Sequence, residues 1–410
     1  MSLKLCKSTL KYHLPKIAIT GSKSESNRLL LLKALFPEIG IKNLSNSDDS
    51  QLMMNALGSD EDIIDIHHAG TAMRFLTAYF SVQPTREIIL TGSDRMKERP
   101  IKILVDALTE LGADIKYWEN KGFPPLKIKG KNLKGGKVSL NANVSSQYIS
   151  ALLLIAPKLK KGLEINLLGN ITSTPYILMT LRLLEQIGVN TSFKNNVIKV
   201  DSFNKKLGKK TLLVESDWSS ASYFYSLIAL SDVATEIELS HFKVDSLQGD
   251  SELSKIYEEF GVETTFKNES IFLKKTNSVD TDSIVELDLV NSPDIAQTIA
   301  VTCLGLGLEC KLTGLHTLKI KETDRLLALK TEIEKIGGEV KITDNSLQLL
   351  KRNNLLENVS IDTYSDHRMA MAFAPLALRT TLIINEAEVV SKSYPDFWAD
   401  LAKIGVVINK

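Results

Sequence analysis

A nine-residue segment beginning at Thr20, TGSKSESNR, has the residue types and the spacing of an anion-binding helix start. Ser22 and Glu25 fit a capping box, which predicts a helix that begins near Lys23. The first N–H groups of a helix are unpaired and lie at the positive end of its dipole, so they attract anions. Lys23 and Arg28 add full positive charges at the same end. The segment therefore indicates an anion site, although a plain helix cap with solvated charges would use the same residues.

Five further segments combine small polar residues with the start of an apolar run. They are residues 68–74 (HAGTAMR), 145–147 (SSQ), 217–222 (DWSSAS), 292–294 (SPD) and 365–368 (SDHR). Three more concentrate charge beside a predicted helix: residues 95–100 (RMKERP), 319–325 (KIKETDR) and 391–395 (SKSYP). Each alone is explained by a helix cap or a solvated charge run. Together, in one repetitive chain, they favour several helix N-termini that converge on a single anionic site.

The elements that would position these side chains recur about every seventy residues. Each unit has an amphipathic helix, a glycine at its end and an alternating β-rich segment, often followed by a polar turn and a second such segment. Each glycine is expected in the left-handed conformation that ends a helix. These glycines are Gly58, Gly112, Gly188, Gly261, Gly337 and Gly405. Six helix–strand–strand units predict an α/β protein with helices packed on sheets.

The charge balance, the apolar segments and the cysteines of the chain argue against several classes of protein. Of 410 residues, 50 are Lys or Arg and 49 are Asp or Glu, and this balance argues against a nucleic-acid binder, which carries a broad basic excess. The N-terminus lacks the apolar core of a secretory signal, and the most continuous apolar stretch, residues 148–156, is too short to cross a bilayer. Cys6, Cys303 and Cys310 have no metal-ligand spacing, and an odd number of cysteines suits a reducing compartment. We therefore expect a cytoplasmic protein without membrane contact, in which Cys303 and Cys310 belong to the core.

Seven segments resemble the signature segments of the EPSP synthase family, and they occur in that family's order. They are residues 21–28 (GSKSESNR), 69–74 (AGTAMR), 95–100 (RMKERP), 145–147 (SSQ), 321–325 (KETDR), 366–371 (DHRMAM) and 392–396 (KSYPD). One such match is weak, but seven ordered matches across almost the whole chain are specific. The chain departs from the family at His68 and Thr317, which leaves secondary contacts of the site open, and at Phe75, which leaves glyphosate sensitivity open.

The resemblance implies an α/β (α+β) fold of two similar domains, each built from three βαβαββ repeats around a pseudo-threefold axis, the inside-out α/β barrel of enolpyruvyl transferases. Domain one would contain residues 1–20 and 216–410, domain two residues 21–215, and the active site would lie in the cleft between them. The implied reaction transfers the enolpyruvyl group of phosphoenolpyruvate to the 5-hydroxyl of shikimate 3-phosphate, through a tetrahedral intermediate, and releases phosphate. No metal or organic cofactor is implied, and we expect a monomer.

The family's functional residues carry over onto matching positions of this chain. Asp294 resembles the base that takes the proton from the 5-hydroxyl, and Glu322, with Lys392 and Lys23, resembles the group that protonates the methylene carbon. The residues that resemble shikimate 3-phosphate contacts are Lys23, Ser24, Arg28, Ser145, Ser146, Gln147, Ser173, Asp294 and Lys321, with Tyr176 near the ring. The residues that resemble phosphoenolpyruvate contacts are Lys23, Gly70, Arg99, Gln147, Arg325, Arg368 and Lys392.

The charges of these residues suit the two substrates, since each substrate carries a carboxylate and a phosphate of about −1.5 to −2. Two alternatives stay open on the sequence alone. A UDP-N-acetylglucosamine enolpyruvyl transferase would share the fold and phosphoenolpyruvate, but that family usually presents a reactive cysteine where residues 86–99 here have none. A non-catalytic protein that binds a phosphate ligand would gain nothing from Asp294 and Glu322, because carboxylates repel anions.

Overall fold

The structure, a computed structural model, describes residues 1–141, 145–169, 171, 174–350 and 354–410. These residues form the mixed α/β fold that the sequence predicts, with helices packed on several sheets. They divide into two compact units: unit 1 contains Met1–Thr20 and Glu215–Lys410, and unit 2 contains Gly21–Val214. No helix in the described part of the chain is long and apolar enough to cross a membrane.

Within these residues the strands are short. They are β1 (Leu3–Cys6), β2 (Ile39–Lys42), β3 (Ile63–Asp65), β4 (Glu87–Thr91), β5 (Asp114–Tyr117), β6 (Leu126–Lys129), β7 (Gly136–Asn141), β8 (Leu163–Leu168), β9 (Thr191–Lys194), β10 (Val197–Val200), β11 (Lys210–Leu213), β12 (Glu236–Ser240), β13 (Val262–Lys267), β14 (Ser270–Lys275), β15 (Ile284–Asp288), β16 (Glu309–Thr313), β17 (Glu339–Ile342), β18 (Leu347–Leu350), β19 (Val359–Ile361), β20 (Leu382–Ile384) and β21 (Val407–Asn409).

The α-helices range from single turns to more than three turns. They are α1 (Lys23–Leu35), α2 (Asp48–Gly58), α3 (Gly70–Ser81), α4 (Asp94–Lys97), α5 (Lys102–Glu110), α6 (Ser146–Ile155), α7 (Thr174–Gln186), α8 (Trp218–Leu230), α9 (Leu253–Ile256), α10 (Ala296–Leu306), α11 (Arg325–Lys335), α12 (His367–Phe373) and α13 (Phe397–Lys403). Two short 3₁₀ helices, Pro293–Ile295 and Ala387–Lys392, also carry predicted site residues.

The described part of unit 2 contains two four-stranded sheets of the same design and the parallel pair β2–β11. In the order β3-β4-β6-β5, the parallel strands β3 and β4 are joined through α3, and the hairpin β5–β6 pairs antiparallel with β4. The order β7-β8-β10-β9 repeats this arrangement with α6 as the crossover. Each sheet therefore arises from one βαβαββ segment, because a parallel pair needs a helical crossover whereas a hairpin needs only a turn.

The described sheets of unit 1 follow the same strand order. The sheet β15-β16-β18-β17 has α10 as its crossover. In the sheet β19-β20-β1-β21, the first strand of the chain occupies the position that the last hairpin strand holds elsewhere. In the sheet β12-β14-β13, His13 and Ile17 form parallel bridges beside β12. The segment before Gly21 thus completes two sheets of unit 1, which explains why it belongs to that unit.

The glycines that end helices adopt the predicted left-handed conformation at five of the six positions. Their φ angles lie between +71° and +108° at Gly112, Gly188, Gly261, Gly337 and Gly405. The prediction for Gly58 is wrong, because this residue is the last of α2 and is followed by Ser59 in an extended conformation, with φ of −82°. The chain continues from there to β3 without a hairpin. The absence of a hairpin after Gly58 explains why Gly58 and Gly112 are separated by fewer residues than any other neighbouring pair of these six glycines.

Several helices of unit 1 are buried on all sides. Every residue of α10 from Ala296 to Leu304 is buried, and α8 is buried along almost its whole length. An all-round apolar surface is typical of a helix enclosed by other elements. Cys303 and Cys310 lie in this core with no exposed surface, as predicted. Because α10 packs against α8, α11 and α12, the starts of these helices can share one cluster of polar residues.

Candidate active site

Arg325 is the centre of a charged cluster in unit 1, and only 2% of its side chain is exposed. Its Nε donates to Asp366 Oδ2 at 2.6 Å and its Nη1 to Asp294 Oδ1 at 2.9 Å. Its Nη2 donates to Glu322 Oε2 at 2.7 Å. One guanidinium therefore joins the two acids that the sequence predicts as catalytic. The third carboxylate, that of Asp366, accepts from the Nε of the same guanidinium.

The starts of three helices place these side chains. Arg325 is the first residue of α11, which is capped by the side chain of Asp324. Asp366 caps α12 and accepts from the backbone N–H of Arg368 at 2.9 Å. Asp294 lies in the 3₁₀ turn that leads into α10. Since α10 packs against α11 and α12, the side chains at these three starts meet.

Further predicted cations border the same cluster. Lys321 Nζ lies 3.4 Å from Asp294 Oδ1, and Arg368 Nη2 lies 3.5 Å from Asp294 Oδ2. Lys392 Nζ donates to the backbone oxygen of Ser365 at 2.7 Å, beside the cap of α12. The Nε of Arg368 is buried and has no hydrogen-bond partner within the described part of the chain. Arg368 therefore retains a donor for an anionic ligand.

Carboxylates keep both buried arginines charged. Burial alone lowers the pKa of Arg325. The carboxylates of Asp366, Glu322 and Asp294 outweigh this effect and raise that pKa above its usual value. Burial also lowers the pKa of Arg368, and Asp294 is the strongest of the opposing groups that bring this pKa well above its usual value. A buried charge is tolerated only when it is compensated in this way.

Arg28 is a buried cation of unit 2. Its Nε donates to Thr180 Oγ1 at 2.8 Å, its Nη2 to Ser150 Oγ at 3.0 Å, and its Nη1 to the backbone oxygen of Ser24 at 2.7 Å. Burial lowers its pKa to about 10, so the side chain stays protonated at neutral pH. These acceptors are hydroxyl and carbonyl oxygens, which carry no full charge, so a bound anion would improve the charge balance of Arg28.

Two aromatic rings pack beside the same guanidinium. The guanidinium carbon of Arg28 lies 5.4 Å from the centre of the Phe75 ring and 5.9 Å from the centre of the Tyr176 ring. Phe75, where the chain departs from the family, is fully buried and so forms a wall of this site. Ser173, predicted as a shikimate 3-phosphate contact, lies outside the described residues.

A second group of unit 2 lies where α3 begins. A Cβ added to Gly70 would lie 2.4 Å from Arg99 Nη1, so the Arg99 guanidinium covers this turn. Arg74 supports the turn, because its Nη1 donates to the backbone oxygen of Gly70 at 3.0 Å. Its Nη2 donates to the backbone oxygen of Pro100, the residue after Arg99, at 3.2 Å. Gln147 Nε2 donates to Thr71 Oγ1 at 3.1 Å. Three of the predicted phosphoenolpyruvate contacts, Gly70, Arg99 and Gln147, are therefore neighbours.

The starts of α1 and α6 supply the remaining predicted contacts of unit 2. Lys23 is the first residue of α1, and its Nζ lies 3.5 Å from Asp49 Oδ2. Ser145 caps α6, where its Oγ accepts from the backbone N–H of Gln147 at 3.4 Å, and Ser146 is buried beside it. Because α1 packs against α3, α6 and α7, their N-terminal N–H groups and cations can serve one ligand.

Most of the predicted helix caps are confirmed. The side chains of Ser22, Ser145 and Asp217 accept from backbone N–H groups of α1, α6 and α8. Ser292 occupies the cap position of the 3₁₀ turn Pro293–Ile295, which leads into α10, but its side chain makes no cap hydrogen bond there. Its hydroxyl donates to Glu252 Oε2 at 3.2 Å instead.

The structure thus divides the predicted residues that it describes between the two units. Unit 1 holds Asp294, Lys321, Glu322, Arg325, Arg368 and Lys392, and unit 2 holds Lys23, Ser24, Arg28, Gly70, Arg99, Ser145, Ser146 and Gln147. The sequence reasoning missed the carboxylates that hold the cations in place, above all Asp366 and Asp49. Asp366 was part of a recognised segment, but its pairing with Arg325 spans 41 positions and leaves no local signal.

Comparison with known proteins identifies the family of this chain. The family model for EPSP synthase (3-phosphoshikimate 1-carboxyvinyltransferase) matches residues 56–401. The 3-phosphoshikimate 1-carboxyvinyltransferase of Bacteroides fragilis is 48% identical over 398 residues, which cover 96% of each chain. That of Haemophilus influenzae is 36% identical, with 95% of this chain and 96% of the relative covered. The solved EPSP synthase of Acinetobacter baumannii shares the fold, with a TM-score of 0.80, 20% identity and 100% of both chains covered. By its sequence and its fold, the chain belongs to the EPSP synthase family.

Proposed function

We propose that this chain transfers the enolpyruvyl group of phosphoenolpyruvate to the 5-hydroxyl of shikimate 3-phosphate, giving 5-enolpyruvylshikimate 3-phosphate and phosphate. The names of the family and of the relatives support this reaction. Within the chain, the observation that carries the proposal is the Arg325 guanidinium, which holds Asp294 and Glu322 on adjacent nitrogens. A proton acceptor and a proton donor thereby flank one anion-binding group, as general acid–base catalysis requires.

The two substrates would divide the cations between them. Shikimate 3-phosphate would contact Lys23, Ser24, Arg28, Ser145, Ser146, Gln147, Ser173, Asp294 and Lys321. Phosphoenolpyruvate would contact Lys23, Gly70, Arg99, Gln147, Arg325, Arg368 and Lys392. Helix N-termini and serine hydroxyls suit a phosphate, whereas the planar fork of arginine suits a carboxylate.

The proposed reaction is an addition followed by an elimination. The 5-hydroxyl oxygen bonds to C2 of phosphoenolpyruvate, and its proton goes to Asp294. The methylene carbon C3 takes a proton from Glu322 and becomes a methyl group, which gives a tetrahedral ketal. The bond from C2 to the phosphate oxygen then breaks, the phosphate leaves with that electron pair and takes the proton held by Asp294, and the methyl group returns a proton to Glu322, so both acids regain their starting protonation. Each proton transfer contributes typically about 10²–10⁴-fold.

Substrate binding would release the two acids from Arg325. In the structure, the Arg325 guanidinium donates to Asp294 and Glu322. The phosphoenolpyruvate carboxylate competes for the same N–H groups, because a guanidinium binds a carboxylate through two parallel hydrogen bonds. Asp366, on the far side, keeps Arg325 charged and oriented throughout. The exchange would leave both acids able to move protons when both substrates are in place.

The proposal is tested by phosphate release from the purified protein. We expect release when phosphoenolpyruvate and shikimate 3-phosphate are both present and none with either alone. No release with both would remove the reaction and would favour a non-catalytic phosphate-ligand protein. Equal release with UDP-N-acetylglucosamine as acceptor would favour a UDP-N-acetylglucosamine enolpyruvyl transferase instead. The family match favours an EPSP synthase.

We also propose that the protein acts as a monomer in the cytoplasm, without a metal or an organic cofactor. All the proposed contacts come from one chain, so the site is complete without a second copy. Light scattering after gel filtration should give a mass near 45.4 kDa. Phosphate release should be unchanged after dialysis against a chelator, and a loss restored by one divalent metal would contradict the proposal.

A further inference from the structure

A chain of hydrogen bonds runs from Arg368 to a buried acid outside the predicted site. Arg368 Nη2 donates to Ser219 Oγ at 3.2 Å, and Ser219 Oγ in turn donates to Asp250 Oδ2. Asp250 is 5% exposed, so its carboxylate is part of the interior. The same Arg368 nitrogen lies 3.5 Å from Asp294. Arg368 is thus held between a predicted catalytic acid on one side and the Ser219–Asp250 pair on the other.

The elements that carry this pair are firmly tied together. Ser219 lies in the first turn of α8, and Asp250 lies in the 3₁₀ turn Gly249–Glu252. Gln248 joins the two elements, because its Oε1 accepts from the backbone N–H of Trp218 at 3.0 Å and its Nε2 donates to the backbone oxygen of Ser216 at 2.8 Å. Ser219 and Asp250 therefore keep a fixed separation, and the pair can hold Arg368 in one position.

The direction of these hydrogen bonds depends on the charge of Asp250. An ionised carboxylate only accepts, so Ser219 must donate its single proton to Asp250 and leave its oxygen lone pairs for Arg368. A protonated Asp250 can instead donate to Ser219 Oγ, where it competes with Arg368 for the same oxygen. Hydrogen bonds aligned in one direction also strengthen one another. The ionised form is therefore the one that fixes Arg368.

We infer that Ser219 and Asp250 are positioning residues for phosphoenolpyruvate, which act by holding the Arg368 guanidinium in its binding orientation. This inference rests on the proposed function, in which Arg368 binds phosphoenolpyruvate. Neither residue touches a substrate in that scheme, so their effect reaches the reaction through Arg368. Shikimate 3-phosphate, to which Arg368 is not assigned, should be affected little.

The surroundings of Asp250 place its titration near neutral pH. Burial, helped by the neighbouring carboxylates of Asp294 and Asp217, raises the pKa of Asp250 to about 7. Arg368 and the hydrogen bond from Ser219 act in the opposite direction but do not outweigh burial. The alignment should therefore be complete above about pH 7 and should weaken as the pH falls through this value.

The test compares Ser219→Ala and Ser219→Thr with the wild type in steady-state phosphate release. Loss of a hydrogen bond to a charged group predicts that Ser219→Ala raises KM for phosphoenolpyruvate about tenfold at pH 8, while KM for shikimate 3-phosphate stays within about twofold. Ser219→Thr keeps the hydroxyl and should stay within about threefold of the wild type. Ser254→Ala, which removes a hydroxyl that donates only to the backbone of Ser251, is the matched control and should change neither constant.

The pH dependence separates positioning from a merely structural role. The ratio of the phosphoenolpyruvate KM of Ser219→Ala to that of the wild type should fall from about tenfold at pH 8 toward about 1 at pH 6, because the wild type loses its own alignment. Substrate ionisation is common to both proteins and cancels in the ratio. A ratio that stays constant with pH, equal rises in both KM values, or a Ser219→Ala variant that matches the wild type at pH 8 would each overturn the inference.

Asp250→Asn provides a second route that does not depend on Ser219→Ala folding well. Asparagine cannot ionise, so the ratio of the phosphoenolpyruvate KM of this variant to that of the wild type should rise from about 1 at pH 6 toward about tenfold at pH 8. A variant whose KM follows the wild-type pH profile would contradict the role of Asp250. Wild-type protein that releases no phosphate at all would refute the proposed function, whereas active wild type with unaffected variants would refute only the positioning pair.

Discussion

The substitution Asp366→Asn should destabilise unit 1 by about 3 kcal/mol, although it exchanges a single oxygen for an amide nitrogen. Asp366 is fully buried and accepts two hydrogen bonds from Arg325 and one from the backbone N–H of Arg368. Asparagine has one acceptor oxygen. If that oxygen still accepts from the backbone N–H of Arg368, the amide NH₂ group faces Arg325 Nε. In the wild type, Arg325 Nε donates to the Asp366 carboxylate there at 2.6 Å. The variant loses a charge-assisted hydrogen bond worth about 1.5–3 kcal/mol and brings two donors together.

Urea unfolding followed by tryptophan fluorescence measures this loss, because two of the three tryptophans, Trp218 and Trp398, belong to unit 1. The matched control is Asp362→Asn, four positions earlier, where the carboxylate is 51% exposed and pairs with Lys335 at 2.6 Å. An exposed pair contributes about 0–1 kcal/mol, so the control should unfold almost as the wild type does. Equal losses in the two variants, or an Asp366→Asn variant within about 0.5 kcal/mol of the wild type, would refute the reasoning.

Three further variants test other parts of the geometry. Glu322→Gln should keep the affinity for both substrates within about tenfold and lose at least about 10²-fold in turnover, and unchanged turnover would remove Glu322 from the mechanism. Gly70→Ala should displace the Arg99 guanidinium and raise KM for phosphoenolpyruvate about tenfold, since the new Cβ would lie 2.4 Å from Arg99 Nη1. Gly58→Ala, with no heavy atom within 4 Å of the added carbon, is its control, and equal kinetics in the two variants would contradict the placement of Arg99. Burial lowers the pKa of Lys275 to about 8 from 10.5, so between these values the unfolded chain binds a proton that the folded chain does not. The thermal midpoint of the wild type should therefore rise from pH 8 to pH 10 relative to that of Lys275→Met, and parallel profiles would show that Lys275 is not held in its neutral form.

Local signals in the sequence were sufficient wherever the cause of a structure lies within a few residues. Ser22 caps α1 because its partner N–H is three positions away. The five left-handed glycines end helices because the chain must turn sharply into the next strand. The prediction for Gly58 is wrong because the chain after it is extended, and Ser292 makes no side-chain cap although it precedes the 3₁₀ turn that leads into α10.

The candidate site was only partly predictable for the same reason. The resemblance to a family supplied Arg325 and Asp294, but not their contact with each other across 31 positions. The resemblance presents Arg325 only as a contact of the substrate. In the structure, its guanidinium donates to carboxylates of the chain. The residues that arrange the site, Asp366 and Asp250, are buried acids far from their partners in the sequence. Only the packing of α10 against its neighbours brings such groups together.

Proton exchange through Glu322 is measured most directly by running the reaction in deuterium oxide and following the methylene hydrogens of the product by proton NMR. If C3 becomes a methyl group before phosphate leaves, deuterium from the solvent should appear in the enolpyruvyl methylene during the first turnovers. Glu322→Gln should slow this incorporation together with phosphate release. Product that forms at the wild-type rate with its methylene hydrogens unexchanged would contradict the addition–elimination route and the role given to Glu322.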